Sequence, residues 1–246
     1  MEDIENNLRE IMTRIKGATL RSGRSPEEIR LIVVTKNQPL DKIREAMRHG
    51  VRAFGENTAQ EFMEKRKLLG DSVEWHFIGH LQTNKVPLVV GNVSMIHSVD
   101  SLKLARKIGE RAVGLGIIQD VLLQVNVSGE ESKYGLDVDS AKAVFRSALE
   151  LKGLRLRGLM TMAPYAEDKE IVRPVFRGLK RLQGELKTEV PEADLSILSM
   201  GMTGDFEVAI EEGANMIRIG SGIFGEVNVR AADAESKLIY GSLKEV

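Results

Sequence analysis

One alternation runs through nearly the whole chain and constrains its fold more than any other feature. Eight short, apolar, β-branched segments occupy residues 31–35, 51–55, 74–78, 94–99, 120–127, 154–160, 195–200 and 215–219. Between them, sets such as Leu104, Ala105, Ile108 and Ala112, or Ile171, Val175, Phe176, Leu179, Leu182 and Leu186, repeat with the period of one helix face. Strand and helix alternating eight times in about 250 residues is the accounting of an α/β fold, a single (β/α)8 barrel of the TIM type. An open doubly wound sheet has the same periodicity and stands as the alternative. Ahead of the first strand, Ile4, Leu8, Ile11, Met12 and Ile15 predict an extra amphipathic N-terminal helix over residues 3–20. Ser25-Pro26-Glu27-Glu28 predicts a short capped turn after it. No Pro-, Gly- or Ser-rich linker divides the chain, so residues 1–246 are expected to form one domain, with the barrel over residues 31–225.

Composition then limits the chemistry. The chain has no cysteine, which excludes disulfides, thiol nucleophiles and thiolate metal sites. Its 35 Lys and Arg nearly cancel 36 Asp and Glu, leaving no global field to draw in nucleic acid or anionic lipid. The acidic N-terminus lacks the apolar core of a secretion signal, and no apolar run approaches the ~20 residues that span a bilayer. A cytoplasmic protein without nucleic-acid or membrane partners is expected. His76 and His80 are four apart, but one falls in a strand and the other in the loop after it, so no metal is expected.

In such a barrel, functional groups sit at the C-terminal ends of the strands. Lys36 lies one residue past the first strand, Asn57 follows the second, His80 the third, and Arg218 and Gly220 close the eighth. Ser199-Met-Gly-Met-Thr-Gly-Asp205 and Ile217-Arg-Ile-Gly-Ser-Gly-Ile-Phe-Gly225 supply what phosphate binding needs: small residues, hydroxyls and exposed backbone amides. Thr203 is placed to cap the helix that follows it. Arg218 points away from its neighbours Ile217 and Ile219, either into the barrel mouth or outward between helices. A lysine at the mouth, near another cation, holds its proton less tightly, and a neutral amine condenses with an aldehyde. Lysine, phosphate cradle and arginine together suit pyridoxal 5′-phosphate, and they equally suit a Schiff-base aldolase acting on a sugar phosphate. The residue types alone leave that fork open. Lys133, in the charged loop 130–135, is a second amine expected on the rim, and Met160, Met162 and Phe224 read as core or pocket wall.

Seven motifs carry a resemblance. Val34-Thr-Lys36, Phe54-Gly-Glu-Asn57, Ile78-Gly-His-Leu-Gln-Thr-Asn-Lys85, Ile96-His-Ser-Val-Asp100, Gly158-Leu-Met-Thr-Met162, Leu198-Ser-Met-Gly-Met-Thr203 and the Ile217–Gly225 stretch occur in that order. Together they resemble the pyridoxal phosphate homeostasis protein family. The resemblance implies a barrel similar to the N-terminal domain of alanine racemase, with pyridoxal 5′-phosphate held as a Schiff base on Lys36. It implies that Arg218 faces the pyridine nitrogen, that Ser199, Gly201, Thr203, Gly220 and Ser221 hold the phosphate, and that Asn57 and Met162 flank the cofactor. Lys133 matches a lysine that takes up cofactor at a second position in some members. Gln38 departs from members that have a lysine there, which puts transfer between neighbouring lysines in doubt.

The implied role is cofactor homeostasis without catalysis, with pyridoxal phosphate-dependent apoenzymes as partners. The alternative is a small racemase-like enzyme. A racemase needs two acid/base groups on opposite faces of its substrate, and no tyrosine partner stands out: Tyr134 and Tyr165 fall on or near rim loops and Tyr240 lies beyond the barrel. The 21 residues after Gly225 are expected to be too few for the second domain of alanine racemase, and a monomer is expected.

Overall fold

The computed structural model describes residues 3–130 and 133–225. Helix α1 (Ile4–Arg21) opens the chain, its first turn capped by the Asp3 carboxylate, which accepts from the Asn6 amide at 3.0 Å. Ile4, Leu8, Ile11, Ile15 and Ala18 form its buried stripe. Met12, expected on that face, is 50 % exposed because it lies one position off the stripe. Ser25 to Glu28 form the expected capping box on a short 3₁₀ turn.

Strands and helices then alternate: β1 (Arg30–Val34), α2 (Leu40–Arg48), β2 (Ala53–Glu56), α3 (Ala59–Leu69), β3 (Glu74–Phe77), α4 (Val86–Val89), β4 (Met95–Val99) and α5 (Leu102–Gly114). The second half runs β5 (Gln119–Gln124), α6 (Val138–Leu149), β6 (Leu154–Met160), α7 (Arg173–Glu189), β7 (Ile197–Ser199), α8 (Phe206–Glu211), β8 (Met216–Ile219) and α9 (Ser221–Phe224). Each strand pairs in parallel with the next, and β8 pairs with β1 from Arg30↔Met216 to Val33↔Ile219. That last pairing closes the barrel and removes the open sheet as an alternative. β5 stops earlier than its apolar run predicts. The Asn126 side chain accepts from the Gly129 amide and donates to the Glu130 carbonyl, turning the chain out of the sheet.

Because side chains alternate across a strand, two cores result. Val33, Phe54, Phe77, Ile96, Leu123, Leu159 and Ile217 face outward and pack with the helices. Ile32, Met95, Leu122, Met160 and Met216 face inward and plug the barrel, with Met162 packed against them. The remaining inward positions are polar, and they lead to the site.

Candidate functional site

A cavity of about 600 Å³ opens at the C-terminal ends of the strands. It is lined by Lys36 and Gln38 after β1, by Tyr165 and Lys169 after β6, by Thr203 and Asp205 after β7, and by Arg218, Gly220 and Ser221 at the end of β8. The strand-end reading of Lys36 and the inward reading of Arg218 therefore meet in one place.

Lys36 occupies the second position of a tight turn. The Gln38 amide donates to the Thr35 carbonyl at 2.9 Å, and Asn37 has φ +58°, alone in positive φ among the described non-glycine residues. Negative φ at Lys36 followed by positive φ at Asn37 is the pattern of a type II turn. Asparagine tolerates the left-handed region better than most residues, yet holding it there still costs on the order of 1 kcal/mol. Part of the compensation is a hydrogen bond from the Asn37 amide to the Glu61 carboxylate, 2.7 Å. Gln38 is buried against the cavity at 7 % exposure, so this position offers no second amine.

Arg218 is 3 % exposed and donates to the Ser199 hydroxyl at 2.7 Å and to the Thr161 carbonyl at 2.9 Å. Burial, opposed by the nearby Asp205 carboxylate, lowers its pKa to about 10, so it remains a cation at neutral pH. The directions of a longer chain of hydrogen bonds follow from its two ends. Arg218 can only donate and the Glu74 carboxylate can only accept, so the proton of Ser199 goes to Nδ1 of His97, 2.9 Å away. His97 then donates from Nε2 to Nδ1 of His76 at 2.9 Å, and His76 donates from Nε2 to Glu74 at 3.1 Å. Both imidazoles must be neutral for this to hold. Burial holds His97 well below the usual histidine range and lowers His76, while the His76 bond lowers Glu74. Inside the barrel, the chain fixes the Arg218 guanidinium as a donor at the cavity.

The other predicted residues divide. Thr203 does not cap its own helix. Its hydroxyl accepts from the Gly222 amide and meets the Ser221 hydroxyl, both at 3.2 Å, tying the β7 and β8 loops together. The position beside the start of α8 goes to Asp205, which accepts from the Met202 amide at 2.6 Å and whose pKa burial raises. Gly201 has φ +93°, and a Cβ there would lie 2.7 Å from that of Ala209, so only glycine lets α8 come this close. Ser199 lies beneath the cavity on Arg218, and Met162 lies in the inner core. Asn57 stands at the β2 end with its side-chain oxygen buried and unpartnered among the described residues. Lys133 is away from the cavity lining, paired with Glu130 at 3.1 Å. Next to it Tyr134 stacks on His80, ring centroids 4.2 Å apart, and His80 bonds Asp100 at 3.0 Å. His76 and His80 thus have separate partners. Glu131, Ser132 and Tyr240 lie outside the described residues.

Sequence reasoning missed Lys169, Asp205, His97 and the pair Glu56 and Lys65. Lys169 carried a usable signal, since it follows β6 on the functional rim. His97 did too, as an inward position of a strand whose other inward residue, Met95, is apolar.

Comparison with known proteins places the barrel in a family. The sequence profile of the family described as alanine racemase, N-terminal domain, matches residues 1–228. A pyridoxal phosphate homeostasis protein of Aquifex aeolicus is 48 % identical over 220 residues, 89 % of this chain and 96 % of that protein. The chain belongs to the pyridoxal phosphate homeostasis protein family. PipY of Synechococcus elongatus, whose structure is described as having PLP bound, is 35 % identical over 91 % of this chain and 100 % of that one, with a TM-score of 0.78. An alanine racemase of Clostridium difficile is 19 % identical, matching 91 % of this chain and 57 % of its own at a TM-score of 0.71, and shares the fold. Family membership makes the Lys36 turn, the Arg218 chain and the loops after β7 and β8 the parts to interpret.

Proposed function

We propose that this chain binds pyridoxal 5′-phosphate as a Schiff base on Lys36 and serves in cytoplasmic homeostasis of that cofactor. One observation carries the reading: an amine, a guanidinium and two linked hydroxyls line a single cavity of about 600 Å³. That donor set fits an aromatic aldehyde bearing a phosphate. The aldehyde carbon supplies the electrophile for the Lys36 amine, with loss of one water. Thr203, Ser221 and the backbone of Gly220 bind the phosphate oxygens, while Ser199 and Gly201 shape the loop beneath them. Arg218, fixed as a donor by Ser199 and His97, faces the ring nitrogen and disfavours its protonation. Such a ring is a weaker electron sink, which suits carriage better than turnover. Asn57 after β2 and Met162 after β6, which stand outside the cavity lining, are assigned to flank the cofactor. Lys133 serves as a second, weaker acceptor of cofactor, and apoenzymes that need the cofactor are the partners of a monomeric carrier.

One observation favours the racemase-like alternative. Tyr165 reaches the same cavity, 92 % exposed, with the Lys169 ammonium 5.4 Å from its ring centroid. It is a candidate second acid/base in the cavity that Lys36 also lines. Incubating loaded protein with a panel of amino acids, with products resolved by chiral chromatography, separates the two readings. The carrier reading expects no saturable turnover and measurable transfer of cofactor to an apoenzyme. Saturable racemisation that Tyr165→Phe abolishes would establish the enzyme instead.

A further inference from the structure

The proposed function leaves unused a buried charge cluster directly behind the Lys36 turn. Lys65 projects from α3 with its side chain 2 % exposed. Its ammonium donates to the Thr35 carbonyl at 2.5 Å, to Glu56 at 2.8 Å and to Glu61 at 2.6 Å. An ammonium has three protons, so all are used. The three acceptors come from the end of β1, the end of β2 and the first turn of α3, and these elements converge on Lys36. The Glu61 oxygen that binds Lys65 also accepts from the Asn37 amide, and Glu56 accepts from the Thr35 hydroxyl. The carbonyl before Lys36 and the amide after it are therefore both tied to one ammonium, the second through a single carboxylate.

Stability is a poor reason for such a cluster. Apolar side chains would join α3 to the strand ends without desolvating charge. What the ion cluster adds is direction: one bond fixes the Thr35 carbonyl and another, through Glu61, fixes the Asn37 amide. The groups facing Glu56 are Lys65 and Glu61, both from α3, and Thr35 from the β1 end.

We infer that Lys65 is a positioning residue for Lys36: with Glu56 and Glu61 it locks the 35–38 turn so that the Lys36 amine is held over the cavity, oriented for attack on an aldehyde. This inference rests on the Schiff-base reading of Lys36. Thr203, Gly220, Ser221 and Arg218 come from β7, β8 and the loops after them and make no bond to the cluster. Loosening the turn therefore impairs bond formation at Lys36 and spares phosphate and ring binding.

Stopped-flow absorbance after addition of pyridoxal 5′-phosphate measures bond formation. Pyridoxine 5′-phosphate, which has an alcohol in place of the aldehyde, measures the rest of the pocket. Lys65→Met is expected to slow bond formation about ten-fold or more while leaving pyridoxine phosphate affinity within about two-fold. Glu61→Ala frees the Asn37 amide but keeps Lys65 on Glu56 and Thr35, and it is expected to slow formation by a smaller factor. If Lys65→Met does not fold, Glu61→Ala, whose side chain is partly exposed, decides. A wild-type rate in a folded variant would overturn the positioning role, and so would a parallel loss of pyridoxine phosphate affinity. A wild-type protein that forms no covalent bond at Lys36 would overturn both this role and the carrier reading.

Discussion

Burial pushes the Glu56 carboxyl up to about 7, against the opposing pull of Lys65. Its Oε2 has no partner among the described residues and is the oxygen placed to carry the proton. A folded pKa above the unfolded one means that the fold favours the protonated acid. The associated stability is full below about pH 4.5 and is lost as pH rises through about 7. The span corresponds to a contribution on the order of 3 kcal/mol. Urea unfolding of wild type and Glu56→Gln between pH 4.5 and 8 tests this: the wild type should lose stability relative to the variant as pH rises, and parallel curves would contradict it. At this scale the sequence was unevenly legible. Lys36 and Arg218 could be read because strand ends and strand alternation fix where such residues point. Lys65 could not be read as easily, because Glu61 and Lys65 at i,i+4 look like an ordinary solvated helix pair. The spacing of Lys65 from Phe62 and Ala59, both buried, placed it on the inward face all the same.

Among elements, the strands were legible and their ends unevenly so: β6 runs over the expected residues, whereas β5 stops three residues early. Periodicity located all eight, whereas the stops depend on side-chain turns such as that of Asn126, which leave no periodic mark. Thr203 shows the same limit. A threonine before a helix reads as a cap, but the α9 turn comes close enough to take its hydroxyl, and that approach is tertiary. Gly158 marks a contact between elements that the chain cannot change. It pairs with Leu122 where the β5–β6 register shifts, and a Cβ on it would lie 1.9 Å from the Ile197 carbonyl oxygen. Gly158→Ala should lose about 3 kcal/mol of stability by urea unfolding, and a loss below about 0.5 kcal/mol would contradict the packing. Gly184, exposed within α7 with nothing near its Cβ position, provides the contrast. Gly184→Ala should gain up to about 1 kcal/mol from helix propensity alone.

For the whole molecule, closure of the sheet gathers the chemistry. Residues from β1, β6, β7 and β8, up to 185 positions apart in sequence between Lys36 and Ser221, come to one cavity because the barrel brings its last strand against its first. The sequence carried this architecture through its alternation, and the resemblance supplied the cofactor where residue types alone left a fork. The buried relay from Arg218 to Glu74 was hidden, because nothing in a linear sequence shows that inward positions of four different strands form one hydrogen-bonded chain. The cofactor chemistry proposed for this cavity turns on Lys36 forming the covalent bond. Borohydride reduction of the protein with pyridoxal 5′-phosphate, followed by peptide mass spectrometry, tests it most directly. A phosphopyridoxyl adduct is expected on Lys36 and is lost in Lys36→Ala; an adduct found only on Lys133 or Lys169, or none at all, overturns the assignment of Lys36.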